Sequence, residues 1–248
     1  MTNVLMPDGL EVLLRPGTQP RWSDRYVGGG DWIIDESKVL ADQPEGMYRV
    51  WRVVERNTDT EALSNPALTE TARTSVESFI SFRDDPAQYC APVGMPGAMM
   101  ATGIHPFELS QQGDDIHLRL ELYDSERVIH MVPDASDEGR PLSDLGYSVG
   151  RWEGETLVVT TTRIGYPFNN IFFPRPRFDG ATLGVPQSEK SVIVERFTFD
   201  DAATQLTYDL SVSDPVNLAE PISIERFFVW GWLPGLEVQR FDCEADAK

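Results

Sequence analysis

From residue 104 onward the chain is a succession of short β-prone runs, most of them separated by stretches too short to form a crossover helix. The runs lie near 104–111, 116–123, 127–132, 146–151, 156–164, 190–198, 205–212 and 222–230. Parallel neighbours need connections of a dozen or more residues, usually helical, whereas antiparallel neighbours need only turns. Turn-forming residues stand where reversals are required, at Gly113-Asp114-Asp115, at Gly154 and at Asp200-Asp201. The clearest reversal is Arg151-Trp152-Glu153-Gly154-Glu155, followed by the almost wholly β-branched run Thr156-Leu157-Val158-Val159-Thr160-Thr161-Thr162. Gly154 can adopt the positive φ that a tight turn demands, and β-branched residues pack well on a pleated surface.

Closely spaced antiparallel strands close into a barrel or stack as a sandwich. The expected fold is therefore mainly β, an antiparallel lipocalin-like β-barrel with an N-terminal arm and one helix; a β-sandwich is the alternative. The arm is assigned to residues 1–60, with the Gly28-Gly29-Gly30 joint and strands at Asp31-Trp32-Ile33-Ile34 and at 47–54. The barrel domain is assigned to 61–248. Its helix is predicted over 66–82, where Asn65-Pro66 is a cap-then-N1 pair and Leu68, Ala72, Val76 and Phe79 form an apolar stripe. Asp84-Asp85-Pro86 ends it.

The 248 residues carry 21 Lys and Arg against 40 Asp and Glu, a net charge of −19. Such a polyanion repels phosphate backbones and anionic lipid, so neither nucleic acid nor membrane is an expected partner. No run of about 18 apolar residues occurs, and the first residues have neither a basic region nor a long apolar region. As written the chain reads as cytoplasmic, with a periplasmic protein whose leader was trimmed as the alternative. Cys90 and Cys243 form no C-x-x-C pair; they are two thiols or one bridge. Self-association is left open.

No phosphate loop and no strand–GxGxxG–helix unit is present, so no cofactor is expected. No H-x-H or H-E-x-x-H spacing joins His105, His117 and His130, and no metal is expected either. Gly146-Tyr147-Ser148-Val149-Gly150 has the G-x-S-x-G spacing of a nucleophile elbow, but a strand follows where that motif requires a helix. Ser148 is therefore not assigned as a nucleophile.

The candidate chemistry lies on the polar face of the 116–123 run. Alternation puts His117, Arg119, Glu121 and Tyr123 on one face, and inside a ligand-holding barrel a polar face is functional. A hairpin closing around Ser125-Glu126 would bring Glu121 opposite His130; one residue more in the loop would bring Leu120 there instead. Glu121 or His130 would shuttle a proton, with Arg127 or Tyr147 stabilising developing charge. Tyr208 and Glu195 are further inward candidates. Cross-strand ion pairing is the ordinary reading of Glu195-Arg196 and Glu225-Arg226. The long aromatic connection 165–188 supplies Tyr166, Phe168 and Asn169 as substrate-binding candidates, as a lid or as a plug.

Several motifs together resemble a largely uncharacterised bacterial protein family with a G-x-S-x-G-R/H-W-E-G-D/E-T-L-V-V core, present here at 146–159. Further matches are the Cys-x-Pro-x-Gly-Met-Pro loop at 90–96, Pro106-Phe107-Glu108, Glu121 with Arg127-Val128-Ile129, the strand from Ser188 to Phe197, Asp214-Pro215, and Pro234-Gly235-Leu236-Glu237 with Cys243. Gln187 stands where many relatives have His, and many relatives have secretion leaders. The resemblance implies no particular activity. The leading expectation is a cofactor-independent lyase or isomerase acting by acid–base chemistry on a small apolar or aromatic molecule in the barrel. The alternative is a non-catalytic carrier of a hydrophobic small molecule, and a third reading is an interaction module with no cavity.

Overall fold

The computed structural model describes residues 2–5, 11–14, 46–57, 61–132, 136–172, 182–200, 204–233 and 235–241. The Gly28-Gly29-Gly30 joint, the strand expected at 31–34 and Cys243 lie outside the described residues. Near the N-terminus β1 (Thr2–Leu5) and β2 (Glu11–Leu14) form a separate antiparallel pair in register Thr2 with Leu14.

Nine strands form one closed barrel. They are β3 (Val50–Arg56), β4 (Phe107–Gln112), β5 (Asp115–Leu120), β6 (Ser125–His130), β7 (Tyr147–Glu153), β8 (Thr156–Thr162), β9 (Val192–Phe199), β10 (Gln205–Ser213) and β11 (Ile222–Trp232). Each strand pairs with the next in sequence, and β11 pairs with β3 to close the ring. The expected lipocalin-like architecture fits, with two differences of substance.

First, β3 was assigned to the N-terminal arm but is a barrel stave, paired with both β11 and β4. Second, the pairing of β6 with β7 is parallel, through Ile129 with Ser148 and His130 with Val149. The second difference follows from the first. Strands that alternate direction around a closed ring must be even in number. A ninth stave forces one parallel neighbour pair, and the connection 131–146 supplies the reach for it.

Helical structure is more broken than the apolar stripe predicts. Helix α1 spans Glu61–Ser64, α2 Glu70–Ser78, α3 Ser81–Asp84 and α4 Gly97–Ala101. The cap of α2 is Thr69, whose hydroxyl accepts from the Ala72 N–H, not Asn65. Leu68 is in a β-bridge with Leu218 and is unavailable to the helix. Phe79 and Ile80 are extended and separate α2 from α3.

Period-2 alternation holds in the barrel wall. Phe107 and Leu109, Ile116, Leu118 and Leu120, Leu157 and Val159, and Leu206, Tyr208, Leu210 and Val212 are buried, with less buried neighbours between most of them. Aromatic rings pack together within the core: Phe107 lies 4.8 Å from Trp230, Tyr208 4.9 Å from Trp230 and 5.1 Å from Phe197. Met95 and Met99 near α4, and Ile171, Phe172 and Val185 of the long connection, join the same core. The described ends of the 165–188 connection therefore pack as a plug. No helix among the described residues is long and apolar enough to cross a membrane.

Candidate functional site

The sequence-assigned residues separate into four places. The β5–β6 register pairs Ile116 with Ile129 and Leu120 with Ser125, which leaves Glu121 in the loop. Glu121 therefore does not face His130, and neither does Leu120. The reason is local. Tyr123 and Asp124 take left-handed φ of 59° and 45°, making a four-residue loop of 121–124 and shifting every partner along the strand. His130 Nδ1 instead meets Asp115 Oδ2 at 2.8 Å, and its ring packs 4.8 Å from Tyr147, which Arg140 covers at 3.9 Å. Glu121 meets His105 Nδ1 at 3.2 Å and accepts the Gln239 N–H at 2.9 Å. His117 pairs with Glu126. Each histidine thus has its own carboxylate. Among the described residues no group of three or more His, Cys, Asp or Glu is placed to hold a metal ion.

Arg127 points into the barrel. Its guanidinium donates to both carboxylate oxygens of Glu195, at 2.9 Å from Nη1 to Oε1 and through Nη2 to Oε2. Nε donates to Ser148 Oγ at 3.0 Å and Nη2 to Thr161 Oγ1 at 2.8 Å. Tyr208 donates its hydroxyl to Glu195 Oε1 at 3.0 Å. Burial pushes the Tyr208 phenol well up, and the Glu195 charge adds to that. Five consecutive staves, β6 to β10, each contribute one side chain. All five side chains are buried, and every group has a partner. A completed network of this kind holds strands in register and leaves no group for a ligand. Ser148 and Thr161 were not singled out for this role. Arg196 and Arg226 do make cross-strand ion pairs, but with Glu153 and Glu55.

The remaining candidates, Tyr166, Phe168 and Asn169, adjoin a second buried polar cluster centred on Asp85. Pro86 biases the residue before it to extended backbone, and Asp85 has φ −81°, ψ 115°. It therefore terminates α3 and caps the following 3-10 turn, Pro86–Tyr89, accepting the Ala87 N–H at 3.1 Å. Its other neighbours come from the long connection. Tyr166 OH and Asn170 Nδ2 each lie 3.4 Å from Oδ1, and Thr182 Oγ1 lies 3.4 Å from Oδ2. Close approach is possible because Gly94 and Gly97 carry no Cβ. A methyl at Gly94 would meet Tyr166 and stand 2.6 Å from Asp144 O; one at Gly97 would stand 2.8 Å from Asn170 Cβ. Phe168 packs edge-on against Phe79 at 4.9 Å.

Asp214 shows what a satisfied buried carboxylate looks like in this fold. Asp85 and Asp214 are both 1% exposed. Asp214 accepts at 2.6 Å from Ser188 Oγ, 2.7 Å from Ser188 N and 2.9 Å from Asn217 Nδ2. Among the described residues no side-chain contact to Asp85 is shorter than 3.4 Å. Asn170 Oδ1, in the same amide that faces Asp85, is buried without a hydrogen-bond partner, as are both amide atoms of Asn169. Buried polar atoms are normally paired, so the bonding around Asp85 is incomplete. Burial and the Asp85 charge push the Tyr166 phenol far up, so it stays protonated and can donate. Asp85 was legible only as a helix stop, because Asp-Pro carries that signal regardless of what surrounds it.

Cys90, with φ 63°, ends the 3-10 turn and is disulfide-bonded. No protein-family model matches the chain, and no curated protein matches it.

Proposed function

We propose that this barrel protein binds a small apolar or aromatic molecule at the Asp85 cluster and acts on it without a cofactor, as a lyase or isomerase that moves a proton. Asp85 is the proton acceptor. Tyr166, held neutral, is the donor that returns a proton or holds a polar atom of the bound molecule. Asn169 and Asn170 orient it, and the Phe168–Phe79 pair lines the apolar side. The observation that carries this reading is the contrast between Asp85 and Asp214: equal burial, but side-chain contacts of 3.4 Å around Asp85 where Ser188 Oγ and Asn217 Nδ2 reach Asp214 at 2.6 and 2.9 Å, with the unpartnered Asn170 amide oxygen beside Asp85. The proton-transfer role first expected of Glu121 and His130 moves to Asp85 and Tyr166, since those two residues engage separate partners.

A non-catalytic carrier of the same molecule is the second reading, favoured by how completely Asp85, Tyr166 and Asn170 are buried. The Cys90 disulfide supports the periplasmic alternative over the cytoplasmic one, because such bonds persist in oxidising compartments.

Native mass spectrometry of protein purified from its own host tests the site. A retained small molecule lost in Asp85→Asn, with the fold intact by circular dichroism, is the expected result. The same molecule retained by Asp85→Asn and by Tyr166→Phe would reject the assignment. Conversion of the released molecule by wild type but not by Asp85→Asn separates enzyme from carrier.

A further inference from the structure

We infer that the group bound at Asp85 is a nitrogen cation, an ammonium carried by a small organic ligand. The inference rests on reading this cluster as the ligand site.

The first observation is a missing counter-ion. Among the described residues every group touching Asp85 is neutral: the Ala87 N–H, the Tyr166 and Thr182 hydroxyls and the Asn170 amide. Of the other two fully buried carboxylates, Glu195 is paired with Arg127, and Asp214, also without a cation, is met by short bonds from Ser188 and Asn217. A charge taken out of water without a partner is costly, and buried charges are therefore paired. Here the fold pairs Glu195 and leaves Asp85 to hydroxyls and amides at long range.

The second observation is the polarity of what is left over. Asn170 Nδ2 faces the carboxylate, at 3.4 Å from Oδ1 and 3.5 Å from Oδ2. Exchanging the amide oxygen and nitrogen would set two acceptors against each other, so the amide's orientation is fixed by Asp85. Its unpartnered atom is therefore Oδ1, an acceptor, and Asn170 is only 5% exposed. The spare capacity of the cluster is on the acceptor side: the two carboxylate oxygens and this amide oxygen. An ammonium offers three donors and a positive charge, and can meet all of them. A carboxylate or phosphate ligand would face Asp85 with like charge. A calcium ion takes six to eight oxygen ligands, with several carboxylates common among them, and here there is one carboxylate.

The chain's charge of −19 works in the same direction, raising the local concentration of cations and lowering that of anions.

Isothermal titration of the full chain with benzylamine, benzyl alcohol and benzoate, and separately with calcium chloride, tests this. Benzylamine is expected to bind, about tenfold or more tighter than benzyl alcohol, with no binding of benzoate or calcium. Asp85→Asn should weaken benzylamine by a similar factor and leave benzyl alcohol unchanged. Asp214→Asn, at the equally buried carboxylate, should leave benzylamine affinity as it is. Asn170→Leu is the second variant should Asp85→Asn fold poorly, and should also weaken benzylamine. Equal affinity for amine and alcohol, preference for benzoate, calcium binding lost in Asp85→Asn, or indifference of benzylamine to both variants would each overturn the cation assignment. Binding of the alcohol alone, dependent on Tyr166, would overturn it and leave the small-molecule site standing. Binding of none of the probes would overturn both.

Discussion

Arg127 and Glu195 meet inside the barrel as a two-point ion pair, with Nη1 2.9 Å from Oε1 and both residues all but sealed from solvent. They come from β6 and β9, so the pair spans two intervening staves, whose Ser148 and Thr161 complete the guanidinium's bonds. Removing one member of such a pair strands the other charge in the core. Arg127→Met should cost about 3–5 kcal/mol in urea unfolding. The double replacement Arg127→Met with Glu195→Leu should recover much of that loss. A single variant as stable as wild type would show that the network does not support the fold.

Asp214 joins the Ser188 loop to the end of β10. Burial, the largest single influence, pushes its carboxyl up, but the Ser188 and Asn217 bonds with the Ser188 and Val216 N–H groups together outweigh it and hold the value below the ordinary 3.8. A carboxylate with a depressed folded-state value adds stability that is present above its unfolded value and lost as pH falls through the folded one. Asp214→Asn should therefore destabilise the protein at pH 7 but cost progressively less below about pH 4. Unfolding measured from pH 7 to 2 checks this; a pH-independent difference would contradict it.

Glu121 and His130 belong to separate pairs. Glu121 stands six residue steps along the chain, roughly 20 Å of β-strand, from Asp115, the carboxylate that His130 contacts. In double-mutant cycles on stability, Glu121→Gln and His130→Ala should be additive within about 0.5 kcal/mol. His130→Ala and Asp115→Asn should couple, as should Glu121→Gln and His105→Ala. Coupling between Glu121 and His130 would contradict the register.

Two glycines should respond in opposite ways. Gly154 turns the β7–β8 hairpin at φ +64° with nothing within 4 Å of an added Cβ, so Gly154→Ala should cost only the left-handed backbone penalty, about 1 kcal/mol. At Gly94 an added methyl meets Tyr166 and the Asp144 carbonyl, so Gly94→Ala should cost about 3 kcal/mol and displace Tyr166 from Asp85. Thermal melts rank the two. Loss of any bound molecule in Gly94→Ala but not Gly154→Ala ties the effect to the site.

The wall strands were legible because their signals are local. Alternation in 116–120 and 206–212, β-branching in 156–162 and Gly154 at its turn each act over a few residues, and the structure follows them. The 121–124 loop escaped because two non-glycine residues adopt left-handed backbone there, and no local preference of Tyr123 announces it. The site escaped for a different reason. Arg127 and Glu195 were both flagged as polar candidates, but not as partners, since they lie 68 residues apart. Asp85 meets Tyr166, Asn170 and Thr182 across 81, 85 and 97 residues.

By itself the sequence determined the period of the strands, their order and most of their turns, because hydrophobic alternation and turn chemistry are properties of neighbours in the chain. Only the tertiary structure decided that β3 closes the ring. That closure makes the number of staves odd and turns β6 and β7 parallel. The tertiary structure also brought Arg127 to Glu195, and set only neutral groups against Asp85 among the described residues. Those outcomes depend on which distant segments meet when the barrel shuts, and a short window of residues carries no energy term for that.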